Sequence, residues 1–172
     1  MPPKPKFTRE KVVEVALTLV GERGMAALTA RELGERLGSS ARPIFTVFRN
    51  MEELTEAVRE AAMRKYDAYV GVAEHYKPIF KAFGVRMVLF ATEEPKLFQL
   101  LFMSGNRDEE GLSAVAEHLG STRDLCISAI VRDDSLTQSE AKQFFEHMWV
   151  IPTGCPSCAP RGCAILTRRP SV

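Results

Sequence analysis

Apolar residues recur every three or four positions along most of this chain, which is the spacing of amphipathic α-helices. The first predicted helix spans residues 8–23, with Thr8 as its N-cap and Gly24 as a left-handed residue at its end. Its inward stripe is predicted to comprise Val12, Val13, Ala16, Leu17 and Val20. No part of the sequence alternates with the two-residue period of a β-strand, so the pattern predicts an all-α fold.

The next two predicted helices are short and are joined by a tight turn. Thr29 is followed three residues later by Glu32, which is a capping box for the second helix, and Gly38 ends that helix. Ser40 is predicted to cap a third helix. Pro43 then falls in the first turn, where its missing N–H removes no helical hydrogen bond.

The third predicted helix has an apolar face and a polar face. The residues predicted to face inward are Ile44, Val47 and Phe48. The residues predicted to face outward are Arg42, Pro43 and Thr46. Two short helices joined by a turn, the second with an exposed polar face, can lay that second helix in the major groove of DNA.

A longer helix is predicted from Asn50 to about Val70, again with an acidic residue, Glu53, at the capping-box position. Further helices are predicted over 78–90, 97–103, 112–132 and 137–150, with a polar loop at 104–111.

The last 21 residues, 152–172, differ in composition from the rest of the chain. They contain four prolines, two glycines, three cysteines and three arginines without a helical stripe, so we expect an irregular tail. A shifted reading frame in a GC-rich gene would produce such an abrupt change. That origin is a hypothesis, which resequencing the gene would test.

Composition excludes some classes of protein. The chain of 172 residues is 45% hydrophobic and 26% charged, as is ordinary for a soluble globular protein. No run approaches the roughly 20 apolar residues of a membrane span, and no apolar run follows the basic N-terminus as in a secretory signal. We therefore expect a cytoplasmic protein with no membrane association and with reduced cysteines.

The net charge of +1 conceals an asymmetry along the chain. Residues 1–50 hold nine basic and five acidic residues, a net of +4, whereas residues 51–151 hold eleven and seventeen, a net of −6. A basic N-terminal part, the front of the chain, followed by an acidic remainder, its body, indicates that the front binds a polyanion. A chance distribution of solvated surface charges would give the same charge difference.

The sequence contains no recognisable catalytic set. It lacks a nucleophile–base pair, a carboxylate dyad and a phosphate-binding loop, so we predict neither an enzyme nor a cofactor. Cys155, Cys158 and Cys163 suggest zinc, with Cys126 or His147 as a fourth ligand. Because the three thiols lie in a proline-rich tail, we predict no metal site.

The first 60 or so residues resemble the DNA-binding domain of TetR-type (tetracycline-repressor) transcription regulators. The features that carry the resemblance are Thr8-Arg9-Glu10, Ala16-Leu17, Gly24, Leu28-Thr29, Leu33, Leu37-Gly38, Ile44-Phe45, Phe48 and the run at 50–54. The implied organisation is a helix-turn-helix DNA-binding domain at 6–66 (motif 29–48), a helical regulatory and dimerisation domain at 67–151, and the tail at 152–172.

The resemblance implies a homodimer that binds a palindromic double-stranded DNA operator and represses transcription in response to a small-molecule effector. The residues implied to contact DNA are Thr29, Arg31, Ser40, Arg42, Pro43, Phe45 and Thr46. Ala30, Ala41, Val47 and Met51 align with contact positions but offer only apolar or backbone contact. The aromatic and methionine residues that could line an effector cavity are Phe83, Met87, Phe90, Phe102 and Trp149.

Two residues depart from the pattern of that family. Phe45 stands where a tyrosine is usual, and Met51 stands where a lysine is usual, so two phosphate contacts are lost. The alternative interpretation is therefore a helical protein-interaction module that keeps the fold but no longer binds DNA tightly. A single long C-terminal helix, where two form the dimer in that family, also favours the alternative.

Overall fold

The computed structural model describes residues 6–103, 120–134 and 136–154. Its α-helices are α1 (Arg9–Arg23), α2 (Ala30–Arg36), α3 (Met51–Gly71), α4 (Ile79–Glu93), α5 (Pro95–Phe102), α6 (Gly120–Asp134) and α7 (Gln138–Gly154). Short 3-10 helices lie at Met25–Ala27, Ile44–Thr46 and Val72–His75. Every regular element of these described ranges is helical, which confirms the all-α prediction.

The chain divides into two compact units, Met1–Gly111 and Leu112–Val172. In the first unit, α1 packs against α2, α3 and α5. The residues at the centre of this packing are almost completely buried: Val12, Ala16, Leu19, Val20, Leu33, Ile44, Leu54 and Val58. Helix α3 extends from this core to a second cluster, where it contacts α4 and α5.

Aromatic rings fill that second cluster. The Tyr66 ring lies edge-on to Phe90 and Phe102, with ring centroids 5.2 and 4.9 Å apart. Edge-to-face pairs of this kind stabilise a core beyond the area that they bury. The far end of α3 is therefore fixed in a dense apolar layer.

The second unit pairs α6 with α7. Its buried side chains include Cys126, Ile127, Ile130, Ala141 and Phe145. Burial raises the pKa of the Cys126 thiol to about 12, so this cysteine is a neutral core residue at physiological pH. Thr137 and Glu140 form the capping box that begins α7, because each accepts the other's backbone N–H.

Several boundaries and packing positions differ from the sequence prediction. Val88 in α4 is 41% exposed although the sequence there is strongly apolar. Leu17, which was predicted to face inward, is only half-buried, whereas Leu19 is fully buried. Neighbouring helices bury only one arc of each helix, and periodicity cannot determine where that arc ends.

The C-terminal part of the prediction is only partly covered by the structure. Helix α7 continues to Gly154, four residues beyond its predicted end and two residues past Pro152. The predicted loop at 104–111 and most of the tail, from residue 155 onward, lie outside the described residues. In the described part of the chain, no helix combines the length and the apolar character that crossing a bilayer requires.

Candidate DNA-binding interface

The turn after α2 is built on two glycines with different roles. Gly38 adopts a φ of +63°, which an L side chain rarely tolerates. The Ser39 N–H donates to the Gly34 carbonyl at 2.9 Å, and the Gly38 N–H donates to the Glu35 carbonyl at 3.0 Å. These two bonds form a Schellman motif, which ends α2 and turns the chain at Gly38.

Gly34 lies inside α2, where the incoming turn passes against it. A Cβ built on Gly34 would lie 2.9 Å from both the Ala41 nitrogen and the Ser40 carbonyl carbon. Both of these atoms belong to the backbone and cannot rotate away. The bare glycine surface therefore sets the distance between α2 and the segment that follows.

Residues 40–48, here called the reading segment, wind more tightly than predicted. The N–H groups of Ile44, Phe45, Thr46 and Val47 donate to the carbonyls three residues earlier, at 3.1–3.2 Å. The 3-10 helix at Ile44–Thr46 has Pro43 at its N-cap position and no side-chain cap, so the expected capping by Ser40 is wrong. Both ends of this short segment are held by neighbouring elements, and short stretches accommodate 3-10 winding readily.

The reading segment is buried on one side and open on the other. Ile44 is 0% exposed and Phe48 is 2% exposed, whereas Phe45 is 44% exposed. Arg42 and Thr46 are also exposed. The apolar residues therefore support the segment from behind, and the polar and cationic residues project outward as the sequence predicted.

Three-residue winding also determines which exposed side chains are neighbours. Residues three apart eclipse in a 3-10 helix, so Arg42 lies beside Phe45 and Pro43 lies beside Thr46. The Thr46 hydroxyl donates to the Pro43 carbonyl at 2.6 Å. Its methyl group and oxygen lone pairs remain available for an outside partner.

The other predicted contact residues flank this segment. The Thr29 hydroxyl accepts the Glu32 N–H at 3.2 Å and so retains a hydrogen to donate. The Arg31 side chain is 90% exposed and pairs with Glu35 across one helical turn. Such an exposed pair is weak, so Arg31 can exchange Glu35 for another anion at little cost.

Lys6, near the N-terminus, also lies near this surface. Its ammonium group donates to the Ser39 hydroxyl at 3.1 Å, at the turn that leads into the reading segment. Lys6, Arg31, Arg42 and Arg49 are all exposed around the segment. These four cations give the surface the charge that the front of the chain suggested.

A network of polar contacts joins the end of the reading segment to α1 and α3. Asn50 caps α3 by accepting the Glu53 N–H at 2.8 Å. The Glu53 carboxylate accepts the Arg49 N–H at 2.8 Å and an Arg9 guanidinium N–H at 2.6 Å. The Arg49 N–H and, next in importance, Arg9 hold the pKa of Glu53 below its usual value.

Sequence reasoning missed the roles of Gly34 and Arg9. A glycine in the interior of a predicted helix costs helix stability, and that cost is a signal of close backbone approach. Arg9 gave no comparable signal, because its partner Glu53 is 44 residues away in the sequence.

Two of the predicted effector residues, Phe90 and Phe102, belong to the aromatic cluster around Tyr66. Phe83, Phe90 and Phe102 are at most 8% exposed, and Met87 is half-buried. The side chain of Trp149 lies outside the described residues, as do Cys155, Cys158 and Cys163. The effector set therefore remains a prediction.

The N-terminal part of the chain is similar in sequence to known proteins. Residues 12–58 match the sequence model of the family described as bacterial regulatory proteins, tetR family. Over 58 residues the chain is 40% identical to the tetracycline repressor protein class C of Escherichia coli. That match covers 34% of this chain and 26% of the repressor, so the chain spans about a quarter of the length of this curated relative.

A solved structure resembles a larger share of the chain. The crystal structure of superantigen PfiT aligns with a TM-score of 0.60, covering 90% of this chain and 88% of that one. The sequences are 16% identical, so this likeness establishes the fold alone. Residues 12–58 carry both the match to the bacterial tetR family of regulatory proteins and the reading segment, so the similarity to that family lies in the part of the chain that contains the candidate interface.

Proposed function

We propose that this protein is a sequence-specific transcription regulator whose reading segment enters the major groove of DNA. The observation that carries the proposal is the two-sided segment, in which Ile44 and Phe48 are buried while Arg42 and Thr46 are exposed. A rigid support behind a short cationic face is what groove insertion requires, because the support fixes the register of the side chains that meet the bases.

Arg42 is the residue proposed to read a base directly. Its guanidinium can donate two parallel hydrogen bonds to O6 and N7 of a guanine. The Thr46 methyl group and the Pro43 ring, which lie side by side, suit the methyl group of a thymine. Phe45 adds an apolar surface next to Arg42.

The surrounding residues are proposed to position the protein on the phosphate backbone. Arg31 and Ser40 can donate hydrogen bonds to phosphate oxygens, and Thr29 has a free hydroxyl hydrogen for the same purpose. Lys6 and Arg49 are exposed beside the segment and supply further positive charge. These contacts favour any DNA and set its register without selecting a sequence.

Repression, operator symmetry and an effector belong to the same proposal. A dimer that binds a palindrome places two reading segments about 34–36 Å apart, one turn of the double helix. The effector is proposed to bind among the apolar residues around Tyr66, which α3 connects directly to the reading segment. A ligand that displaced rings there would tilt α3 and change that spacing.

The test is to measure, by fluorescence anisotropy, how tightly the full chain binds DNA from upstream of its own gene. The titration is repeated at several salt concentrations. We expect a clear preference over a shuffled duplex, and a log–log salt slope of about −0.9 for each phosphate contacted. Equal and weak binding to both duplexes would overturn the proposal. That result would favour the protein-interaction module.

A further inference from the structure

Arg9, the first residue of α1, makes three contacts where the reading segment leads into α3. Its Nη1 donates to the Glu53 carboxylate at 2.6 Å and to the Val47 carbonyl at 3.2 Å. Its guanidinium carbon lies 4.2 Å from the centroid of the Phe48 ring. One side chain from α1 thus touches two successive residues of the segment and the first turn of α3.

Glu53, in the first turn of α3, binds both Arg9 and the backbone that follows the reading segment. In an ordinary capping box it would accept the N–H of its own N-cap residue, Asn50. It instead accepts the N–H of Arg49, one residue earlier. The carboxylate therefore bridges the backbone just after the reading segment and the Arg9 side chain.

We propose that Arg9 and Glu53 form a brace that fixes the exit of the reading segment, and that both are positioning residues for DNA binding. Neither needs to touch DNA for this role. Their bonds hold the Val47 carbonyl and the Arg49 N–H, and so define the path of the chain between Phe48 and α3. This inference rests on the proposed function only for its consequence in DNA affinity.

A simple electrostatic account predicts the opposite effect for one of the two residues. Glu53 is negative and lies beside a surface proposed to meet a polyanion, so removing its charge should tighten DNA binding. If Arg9 were a direct phosphate contact, releasing it from Glu53 would also tighten binding. The brace requires instead that loss of Glu53 weakens specific binding.

The experiment compares R9A, E53Q and the double variant with the wild-type chain, and uses E52Q as a matched control. Glu52 is the neighbouring carboxylate in the first turn of α3, where it accepts a hydrogen bond from the Asn50 amide at 3.4 Å. We expect R9A and E53Q each to lower specific affinity about five- to tenfold, the scale of one intramolecular hydrogen bond. The double variant should lose less than the sum of the two single losses, since the Arg9–Glu53 bond is removed in both single variants.

The salt slope and the E52Q control complete the DNA measurement. E53Q should leave the salt slope unchanged, and E52Q should bind as tightly as the wild type or more tightly. Tighter binding by E53Q with a steeper slope would overturn the brace and make Arg9 a phosphate contact. Additive losses in the double variant would also overturn it.

A second readout does not depend on DNA. The Val47 and Phe48 N–H groups both donate to the Ile44 carbonyl, so their hydrogen exchange reports the order of the segment. We expect faster exchange at both in R9A and E53Q but not in E52Q. Unchanged exchange would overturn the brace even if the wild-type chain bound DNA. Faster exchange in a protein without sequence preference would uphold the brace and refute the proposed function alone.

Discussion

At the scale of single residues, the exposed face of the reading segment depends on a few side chains with distinct chemistry. Arg42 offers a planar fork of donors, and Thr46 offers a methyl group because its hydroxyl hydrogen is already given to Pro43. Met51 and Phe45 present apolar groups where a cation and a hydroxyl would have met phosphate. We expect the first two residues to support base recognition and the last two to reduce general attraction to DNA.

Replacing Arg42 by Ala should weaken binding to the preferred sequence by about 1–3 kcal/mol, because the bidentate contact with guanine is lost. Binding to a shuffled duplex should change much less. Arg42→Lys is the matched control, since it keeps the charge but not the fork, and it should lose preference while retaining general affinity. Equal losses on both duplexes in anisotropy titrations would show that Arg42 only neutralises phosphate.

Replacing Met51 by Lys should tighten binding to any DNA. The substitution adds a cation at the first residue of α3, next to the reading segment, and should steepen the salt slope by about one. Met63→Lys adds the same charge about 18 Å farther along α3 and should have little effect. If the two variants bind alike, the start of α3 does not approach a phosphate.

At the scale of elements, close packing of backbone on backbone sets the geometry of the helix-turn-helix. Gly34 lets the turn at residues 39–41 lie directly against α2, and Gly38 lets α2 end without strain. The caps Thr8, Thr29 and Asn50 each accept a backbone N–H at the start of their helices, as the sequence predicted. Local signals therefore define where the helices begin, and tertiary contact defines how closely they approach.

Replacing Gly34 by Ala should destabilise the protein by about 1–3 kcal/mol, because the new methyl group meets backbone atoms that can only move as a unit. Gly84→Ala is the matched control. Gly84 lies inside α4, and a Cβ added there would meet no neighbouring atom within 4 Å, so the same change should stabilise the helix by up to about 1 kcal/mol. Urea unfolding of both variants measures the two free energies. A neutral Gly34→Ala would contradict the close approach.

The element that the sequence predicted least well is the reading segment itself. Its apolar positions predicted an inward face correctly, since Ile44 and Phe48 are buried. Its winding did not follow from the same pattern. Spacings of three and four residues suit both α and 3-10 helices over so short a stretch, and the anchoring at Gly34 and Asn50 is not visible locally.

At the scale of the whole molecule, charge and size limit how the chain can act. The basic residues of the first 50 positions include the cations around the reading segment, whereas residues 51–151 carry a net negative charge that DNA would repel. This asymmetry favours binding to DNA through the front of the chain. One reading segment contacts only one half-site, so high affinity for a palindrome requires two copies.

We therefore expect two chains per palindromic duplex in analytical ultracentrifugation, with affinity at least tenfold greater than for a single half-site of the same length. The gain arises because the second half-site is bound at high effective concentration. A duplex with five base pairs inserted between the half-sites is the control, since it turns one half-site to the opposite face. One chain per duplex, with equal affinity for palindrome and half-site, would refute the dimeric operator complex.

The sequence by itself determined the helices, their caps and the inward face of the reading segment, because these depend on residues within a few positions of each other. It also determined the similarity of residues 12–58 to the bacterial tetR family of regulatory proteins. Only the tertiary structure decided the 3-10 winding, the contact at Gly34 and the link between Arg9 and Glu53. Those features depend on residues far apart in sequence, whose proximity arises when α1, α2 and α3 pack around one core.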